Sequence, residues 1–511
     1  MNKTHCIRTY MSNETVFDLF IIGGGINGAA VANQASAMGL SVALCDALDF
    51  GQGTSGASTK LIHGGIRYLE QLEFSLVRES LREQQSLRKR AAHLVQPLKI
   101  YMPDAHRLRK PWRVGLGLFL YDRLTSRQHI PRSKRITFSS DSQENPLNLS
   151  FKKGFSFYDC ITQDTRLVME NLLAAHANNA LMLPRNRCTM AQRENNLWKI
   201  QCQSTTSGDT ETYHAKMLVN ATGPWASSFL RDTLSMHSSY KIRLVKGSHL
   251  VFPKLYEGNE AYLLQNIDGR VIFVLPFMNH FTAVGTTEVP YEGDPVNSVI
   301  EPDEIYYLCD AVNRYFHHRV RPRDIIGSWS GVRPLIDNDK MAMTDLTRSA
   351  RLELRVENKQ LPIVNVWGGK LTTHRALAEK VLECLDPYLP STAHPVKGSV
   401  ILPGGTFPDG DFEQFRQELQ SSYPWLPESL LNRYSATYGQ RCLPLLDGKT
   451  ALEDLGSHAG HGLYHEEAKF LLQNEWARNI EDILTRRTQL GYYFTKAELE
   501  KAEQWWDEQI F

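Results

Sequence analysis

Long hydrophobic runs, paired cysteines and an excess of either charge are all missing from this 511-residue chain. No apolar stretch approaches the roughly 18 residues of a membrane-spanning helix. Residues 1–13 are polar and carry no secretory hydrophobic segment, so membrane attachment, where it occurs, is expected to be peripheral. The net charge of +1 gives no global attraction to nucleic acid, and no nucleic-acid partner is expected. The eight cysteines are scattered without a C-x-x-C. That excludes a zinc ribbon or thioredoxin-type site and points to reduced thiols in a cytoplasmic compartment. Cys45, inside an apolar strand, reads as a small core residue. His458, His461 and His465 have no Cys or carboxylate at ligand spacing, and His465-Glu466-Glu467-Ala468-Lys469 is not H-E-x-x-H, so no metal is expected. There is no repeat or low-complexity tract. Met11 is a possible alternative start, and residues 1–15 read as an N-terminal extension.

With 42% hydrophobic and 22% charged residues the chain is globular, and its length calls for two or three domains. Its most informative stretch is Phe17-Asp18-Leu19-Phe20-Ile21-Ile22, which runs into G-x-G-x-x-G at Gly23, Gly25 and Gly28. A small-residue helical segment, Ala29 to Ala35, follows. A second apolar run, Ser41 to Cys45, then ends at Asp46. Strand, tight turn, helix, strand and terminal carboxylate are the context a dinucleotide fingerprint needs. Gly23 permits the turn, Gly25 lets N–H groups reach a pyrophosphate at a helix N-terminus, and Gly28 lets the helix pack on the strand. Asp46 suits a ribose hydroxyl.

Downstream, residues 74–92 read as a surface helix. Strand-like runs occur at 198–200, 217–220, 270–275, 283–287 and 363–367. Two of them end in glycine (Val219 to Gly223 and Val364 to Gly369) and so are suited to return the chain to the cofactor. Pro403-Gly404-Gly405 looks like a linker. Beyond it Leu472, Trp476, Ile480 and Ile483 or Leu484 recur at helical spacing, with Asp482 and Arg486 as an i,i+4 pair on the opposite side. The expected domains are 16–404, a cofactor-binding domain interleaved with a substrate-binding one, and 405–511, a helical domain.

After the fingerprint comes Gly53-Thr54-Ser55-Gly56-Ala57-Ser58-Thr59-Lys60-Leu61-Ile62-His63-Gly64-Gly65-Ile66-Arg67-Tyr68-Leu69-Glu70. Backbone and hydroxyl donors in it suit a pyrophosphate and ring edge, while Arg and Tyr suit an anionic substrate. No second G-x-G-x-x-G, as for an added NAD(P)H, is present. With this segment, Val219 to Trp225, Leu244 to His249, Gly285 to Glu288, Ser330 to Leu335 and Gly368 to Thr373, the chain resembles the FAD-dependent, quinone-linked glycerol-3-phosphate dehydrogenases from about residue 16 to near the C-terminus. It departs in carrying Asp46 where such flavoproteins commonly have Glu.

The resemblance implies an α/β (α+β overall) fold: a Rossmann-type FAD-binding domain, an inserted, mainly antiparallel β-sheet substrate domain and a C-terminal all-helical domain. It implies oxidation of sn-glycerol 3-phosphate to dihydroxyacetone phosphate, hydride passing from C2 to flavin N5 and electrons to a membrane quinone. It also implies a homodimer at the cytoplasmic face of the membrane. Implied cofactor contacts, beyond Gly23, Gly25, Gly28 and Asp46, are Thr54, Ser55, Ser58, Lys60, Leu61, His63, Ala221, Thr222, Gly223, Trp225, Gly331, Gly369, Lys370, Leu371 and Thr372. A phosphate dianion calls for Arg or Lys. Arg67, Tyr68, Arg333 and Arg348 match the family's substrate pocket, with Lys370 beside the flavin, and Arg333 is also a catalytic candidate. His63 and His249 are candidate bases, with Glu288 a third. In residues 106–135, Arg107, Arg109, Lys110, Arg113, Arg123, Arg127, Arg132, Lys134 and Arg135 flank Trp112, Val114, Leu116, Leu118, Phe119, Leu120 and Tyr121. This pattern suits an anionic membrane surface; a solvated loop around a buried helix is the alternative. The competing functions are an oxidase of the amino-acid or amine-oxidase-like group and a non-catalytic flavin scaffold or redox sensor.

Overall fold

An apolar strand that ends in glycine can turn sharply into a helix, and in the computed structural model β1 (Val16–Ile22) does so, entering α1 (Ile26–Ala37) through Gly23 at φ +110°. A Cβ on Gly28 would overlap the Gly23 carbonyl oxygen, so the helix lies on the strand at a distance only glycine allows. The structure describes residues 15–510 apart from 71, 105–109, 126–129, 140, 142–144, 338–349, 358–359, 395–399 and 408–409, with the backbone alone of Arg67. Cys6, Met11, Arg107, Arg109, Arg127 and Arg348, and the Arg67 side chain, therefore lie outside the described residues.

β1 sits centrally in an eight-stranded sheet. It pairs in parallel with β2 (Val42–Cys45) on one side and with Thr210–Asn220 on the other. Gln360–Trp367 continues the parallel array beyond Thr210–Asn220, and Leu181–Leu183 lies outside β2. The C-terminal ends of these strands, at Ile22, Cys45, Asn220 and Trp367, face one crevice. That is where a doubly wound sheet binds its ligand. Helices α1 and α4 (Asp164–Ala177) cover one face; Ala29, Ala30, Val31, Leu172 and Val219 are in that core.

The second sheet has ten strands, antiparallel except for the parallel contact of Ala261–Gln265 with Gln96–Pro103. Its longest pairing joins Ile242–Pro253 to Gly327–Ile336. The Rossmann-type domain and the mainly antiparallel sheet agree with the sequence reading. Helix α2 (Phe74–Arg90) buries Val77, Leu81 and Leu87, as its spacing predicts. Helix α3 (Pro111–Tyr121) buries only Leu118 and Tyr121. Among the described residues no helix is long and apolar enough to cross a membrane.

The C-terminal region forms a core of its own around Leu430, Tyr434, Tyr438, Leu471, Ile483 and Trp506. Three local expectations fail there. A small antiparallel ribbon, His458–Gly460 with Leu463–Tyr464, interrupts the helices. The helical stripe through Leu472 to Ile483 is not continuous, because the helix His465–Asn474 ends and Trp476 takes φ +55°. Pro403-Gly404-Gly405 is not a linker but a buried crossing. The Gly404 N–H donates to Glu170 Oε2 at 2.7 Å, and a Cβ on Gly404 would lie 2.6 Å from both His93 Nε2 and the Tyr438 carbonyl oxygen. Gly439, at φ +56°, completes the crossing, and a Cβ there would overlap the Gly404 carbonyl oxygen. Backbone strain and overpacking together put the cost of Gly439→Ala at about 2–4 kcal/mol. Gly448 also has positive φ but open space around it, so Gly448→Ala should cost only about 1 kcal/mol. Urea unfolding of the two variants side by side checks this.

Candidate active site

Between the two sheets runs a cavity of about 1310 Å³. Its cofactor end is built by the fingerprint. Gly25 caps α1 without any side-chain acceptor, and the first turn of that helix carries no acidic residue. Its N–H groups therefore face the cavity with a partial positive charge, as an anion requires. The Ser55 hydroxyl accepts the Ile26 N–H at 2.9 Å and ties the 53–58 segment to the helix end. Thr54 Oγ1 donates to the Val332 carbonyl at 2.6 Å and Trp329 Nε1 to the Ser58 carbonyl at 3.0 Å, which fastens the same segment to the antiparallel sheet. Gly369, at φ +111°, lies against the Asn27 side chain, whose Nδ2 donates to the Gly368 carbonyl at 3.0 Å.

Asp46 accepts the Gly24 N–H at 2.6 Å and the Leu48 N–H at 2.8 Å. Burial pushes its carboxyl up to about 6 despite those two donors. A half-buried carboxylate at the cavity wall with remaining acceptor capacity suits a ribose hydroxyl. The first-turn amides of α1 beyond Ile26, the glycine turns and this acid fit a dinucleotide.

Among the expected cofactor residues, Gly23, Gly25, Asp46, Thr54, Ser55, Ser58, Leu61, His63, Ala221, Thr222, Gly223, Trp225, Gly331, Gly369, Lys370, Leu371 and Thr372 line the cavity. Gly28 does not; its place is in the α1–β1 contact. Lys60 is a correction. Its ammonium is buried 2.8 Å from Asp164 Oδ1 and over the Trp329 ring, so it braces the loop from behind.

At the far end Tyr68, Thr286, Glu288 and Arg333 line the cavity together with Lys370. Arg333 Nη2 is 3.5 Å from Thr286 Oγ1, and Nη1 is 4.0 Å from Glu288 Oε1. Lys370 Nζ stands 3.9 Å from the centre of the Tyr68 ring. His63 is on the cavity wall. His249 is the second correction: it is fully buried, its ring stacks on Trp329 at 4.8 Å, and Nε2 meets Thr59 Oγ1 at 3.0 Å. Burial, with Arg333 and Lys60 nearby, holds its pKa well below the usual histidine value, so it is a neutral packing group.

Motif reading missed two features. Arg270 lines the cavity, pairs with Asp268 at 2.6 Å and lies over the Tyr307 ring. Behind His63, Asp159 Oδ1 accepts Tyr121 Oη at 2.6 Å and Gln84 Nε2 at 2.9 Å, and Tyr121 Oη accepts the Gly64 N–H at 2.8 Å. No local pattern marks the Asp159 network, since its partners lie 38 to 95 residues away, and Arg270 belongs to no motif.

A dinucleotide crevice facing a cleft lined by cations defines a two-domain nucleotide-cofactor protein. A family model described as FAD dependent oxidoreductase matches residues 18–375, and one described as C-terminal domain of alpha-glycerophosphate oxidase matches 397–507. The chain belongs to the FAD-dependent oxidoreductase family, as its sequence indicates, and its cofactor is FAD. It is 42% identical over 94% of its length, and 93% of the relative's, to a protein of Pseudomonas aeruginosa named glycerol-3-phosphate dehydrogenase. It is 40% identical over 97% of its length, and 99% of the relative's, to D-erythritol 1-phosphate dehydrogenase of Brucella abortus. A glycerol-3-phosphate dehydrogenase from Bacillus halodurans, solved with FAD, shares the fold at TM-score 0.74 and 24% identity over 98% of this chain and 90% of that one.

The raised Asp46 carboxyl makes a signed prediction. Its folded-state value lies above the unfolded 3.8, so it stabilises FAD-free protein fully below about pH 4 and loses that contribution as pH rises through about 6. Asp46→Asn should remove this component from the pH dependence of the FAD-free melting temperature. A neutral amide accepts more weakly than a carboxylate, by about 1 kcal/mol. The same variant should therefore weaken FAD binding about five- to tenfold at pH 7, read by flavin titration.

Proposed function

We propose that this protein oxidises the secondary hydroxyl of a polyol monophosphate, sn-glycerol 3-phosphate, to the ketone, and passes the electrons to a membrane quinone. The observation that carries this reading is the gathering of Arg333, Lys370, Tyr68 and Thr286 at one end of the FAD crevice. Two cations and two hydroxyls suit a phosphate dianion and the adjacent oxygens of a short polyol. FAD, when bound, supplies the hydride acceptor. Arg333 and Lys370 hold and orient the anion, Arg333 being able to engage it through its fork. Arg67 and Arg348 join them by family resemblance. His63 takes the hydroxyl proton; its place on the cavity wall favours it over the buried, neutral His249, and Glu288 beside Arg333 is the alternative base. The Brucella relative favours a second reading, in which the substrate is the four-carbon D-erythritol 1-phosphate.

Anaerobic mixing separates these readings. Flavin bleaching with sn-glycerol 3-phosphate and not with D-erythritol 1-phosphate is expected; the reverse selects the second reading. Bleaching by an amino acid alone, or by nothing, overturns both. Arg333→Ala should lower kcat/KM about ten- to a hundredfold, the loss of a charge-assisted anchor of about 1.5–3 kcal/mol, with FAD content unchanged. Arg333→Lys should recover part of it.

The membrane reading rests on α3. Its Trp112, Leu116 and Phe119 are 63%, 52% and 48% exposed beside exposed Lys110, Arg113 and Arg123. Trp112, Leu116 and Leu120 also line the cavity mouth, so a quinone arriving from a bilayer would meet apolar side chains there. Cations around an apolar stripe suit anionic headgroups with shallow insertion. Replacing Lys110, Arg113 and Arg123 by Ser should weaken sedimentation with anionic phosphatidylglycerol vesicles and quinone reduction, while anaerobic bleaching by substrate survives. Vesicle binding indifferent to lipid charge and to the triple variant would return α3 to an ordinary solvated surface.

A further inference from the structure

Among the described residues the C-terminal domain supplies nothing to the cavity lining, yet its Arg486 and Arg487 reach Asp49 in the segment that walls one end of it. The segment that follows β2 walls the fingerprint end of the cavity, contributing Asp46, Ala47, Leu48, Gly51 and Gly53. Within the segment Leu48 N–H donates to Asp46 Oδ1 at 2.8 Å, and Asp49 and Gln52 exchange two longer bonds, Asp49 N–H to Gln52 Oε1 and Gln52 N–H to the Asp49 carbonyl, both 3.2 Å; from beside it Asn186 N–H donates to the Asp46 carbonyl at 2.7 Å and Arg185 N–H to the Leu48 carbonyl at 2.9 Å. From behind it is held across more than four hundred residues. The buried Asp49 carboxylate receives both terminal nitrogens of Arg487, at 2.7 and 2.9 Å, and Nε of Arg486 at 2.6 Å. Arg185 bridges Asp49 at 3.4 Å to Asp482 at 2.6 Å. Arg487 in turn donates to the Glu475 carbonyl at 2.8 and 3.1 Å. Burial would raise the Asp49 carboxyl, but Arg487 and Arg486 outweigh it and hold it at about 2.

The next residue repeats the arrangement with apolar atoms. One side of the buried Phe50 ring meets the edge of Trp476 of the C-terminal domain, with centroids 5.5 Å apart at 89°. Its other side covers Gly24 of the fingerprint, where a Cβ would come 2.5 Å from Phe50 Cδ1. Two independent paths, one ionic and one aromatic, thus run from the C-terminal domain to the wall of the dinucleotide site.

We propose that the C-terminal domain is a clamp on the adenosine half of FAD, with Asp49 and Phe50 as positioning residues that set the 46–53 segment against the ribose-facing Asp46. Docking of that domain and retention of FAD are then reciprocally coupled: whatever tightens one tightens the other. The flavin half, which the family resemblance assigns to the 54–63 and 368–372 segments, lies outside the contacts of Asp49 and Phe50. The clamp holds whichever polyol phosphate is the substrate.

The experiment uses the full-length protein stripped of FAD and titrated with three probes: FAD, ADP (the adenosine side alone) and FMN (the flavin side alone). Asp49→Asn should weaken FAD and ADP at least tenfold and leave FMN within twofold. Arg487→Lys and Trp476→Leu should do the same to a smaller degree. At saturating FAD, kcat per bound flavin should be unchanged. Arg441→Gln is the control, because Arg441 pairs with Glu475 and Glu170 at the same interface but touches nothing in 46–53. Native affinities in all three variants, equal loss of FMN and FAD, or the same effect from Arg441→Gln would each overturn the proposal. A further arm needs no variant. ADP added to the FAD-free native protein should slow amide hydrogen exchange in 475–490 more than in 428–438, and unchanged exchange in 475–490 would also overturn it.

Discussion

The carbonyl oxygen of Gly23 occupies the space a Cβ on residue 28 would need, and the arrangement of the site follows from that contact. Because α1 lies that close to β1, its first-turn N–H groups open directly at the strand's C-terminal end. Strands Thr210–Asn220 and Gln360–Trp367, in parallel register with β1, then deliver Ala221 to Gly223 and Gly368 to Gly369 to the same level. The 54–58 segment crosses over the helix end, held by Ser55 on one side and by the Thr54 and Ser58 contacts to the antiparallel sheet on the other. One backbone approach therefore sets the height at which three strand ends and a crossing loop meet.

What could be read in the sequence was whatever depends on neighbours within a few residues. The glycine spacing, the carboxylate after the second strand and the strands ending in glycine all have local causes, and each stands where its pattern placed it. What could not be read depends on atoms far along the chain. Asp482 and Arg486 do form their i,i+4 pair, but it is buried, because Asp49 and Arg185 arrive from the flavin domain to complete it. Pro403-Gly404-Gly405 has the composition of a linker, yet its glycines are there because His93, Arg90 and the turn at Gly439 press on them. His249 sits in a family-like segment, but only the cross-strand partners Trp329 and Gly285 reveal that its ring lies on a glycine, away from the cavity. Arg270 and Asp159 belong to no motif and are visible only once the sheet is assembled.

The charges divide by location, and the division has a physical sense. On α3 the cations stay exposed; Arg113 lies over Trp112 and Arg123 over Phe119, pairings that cost little to desolvate at an interface. At the domain junction Arg166, Arg441 and Arg487 are matched against Glu475 and Asp49 with little or no water. A buried pair of this kind adds little net stability over a well-packed apolar contact, but it is costly to separate or misalign. Such a junction fixes position more than it adds strength, which is the property a wall of a cofactor site needs.

The same reasoning applies to a buried polar chain that leads from the exposed helix to the loop bearing His63. Tyr121 is the last residue of α3, and its hydroxyl both accepts the Gly64 N–H and donates to Asp159. Gly64 follows His63 directly. A displacement of α3 along its axis would stretch a 2.6 Å and a 2.8 Å hydrogen bond at once, and Asp159 would retain Gln84 as a donor. Gln84 also holds the Ile62 carbonyl at 2.7 Å, so the chain on both sides of His63 is tied to the same buried carboxylate. The helix that carries the exposed aromatic and basic residues is therefore mechanically continuous with the loop that carries the candidate base.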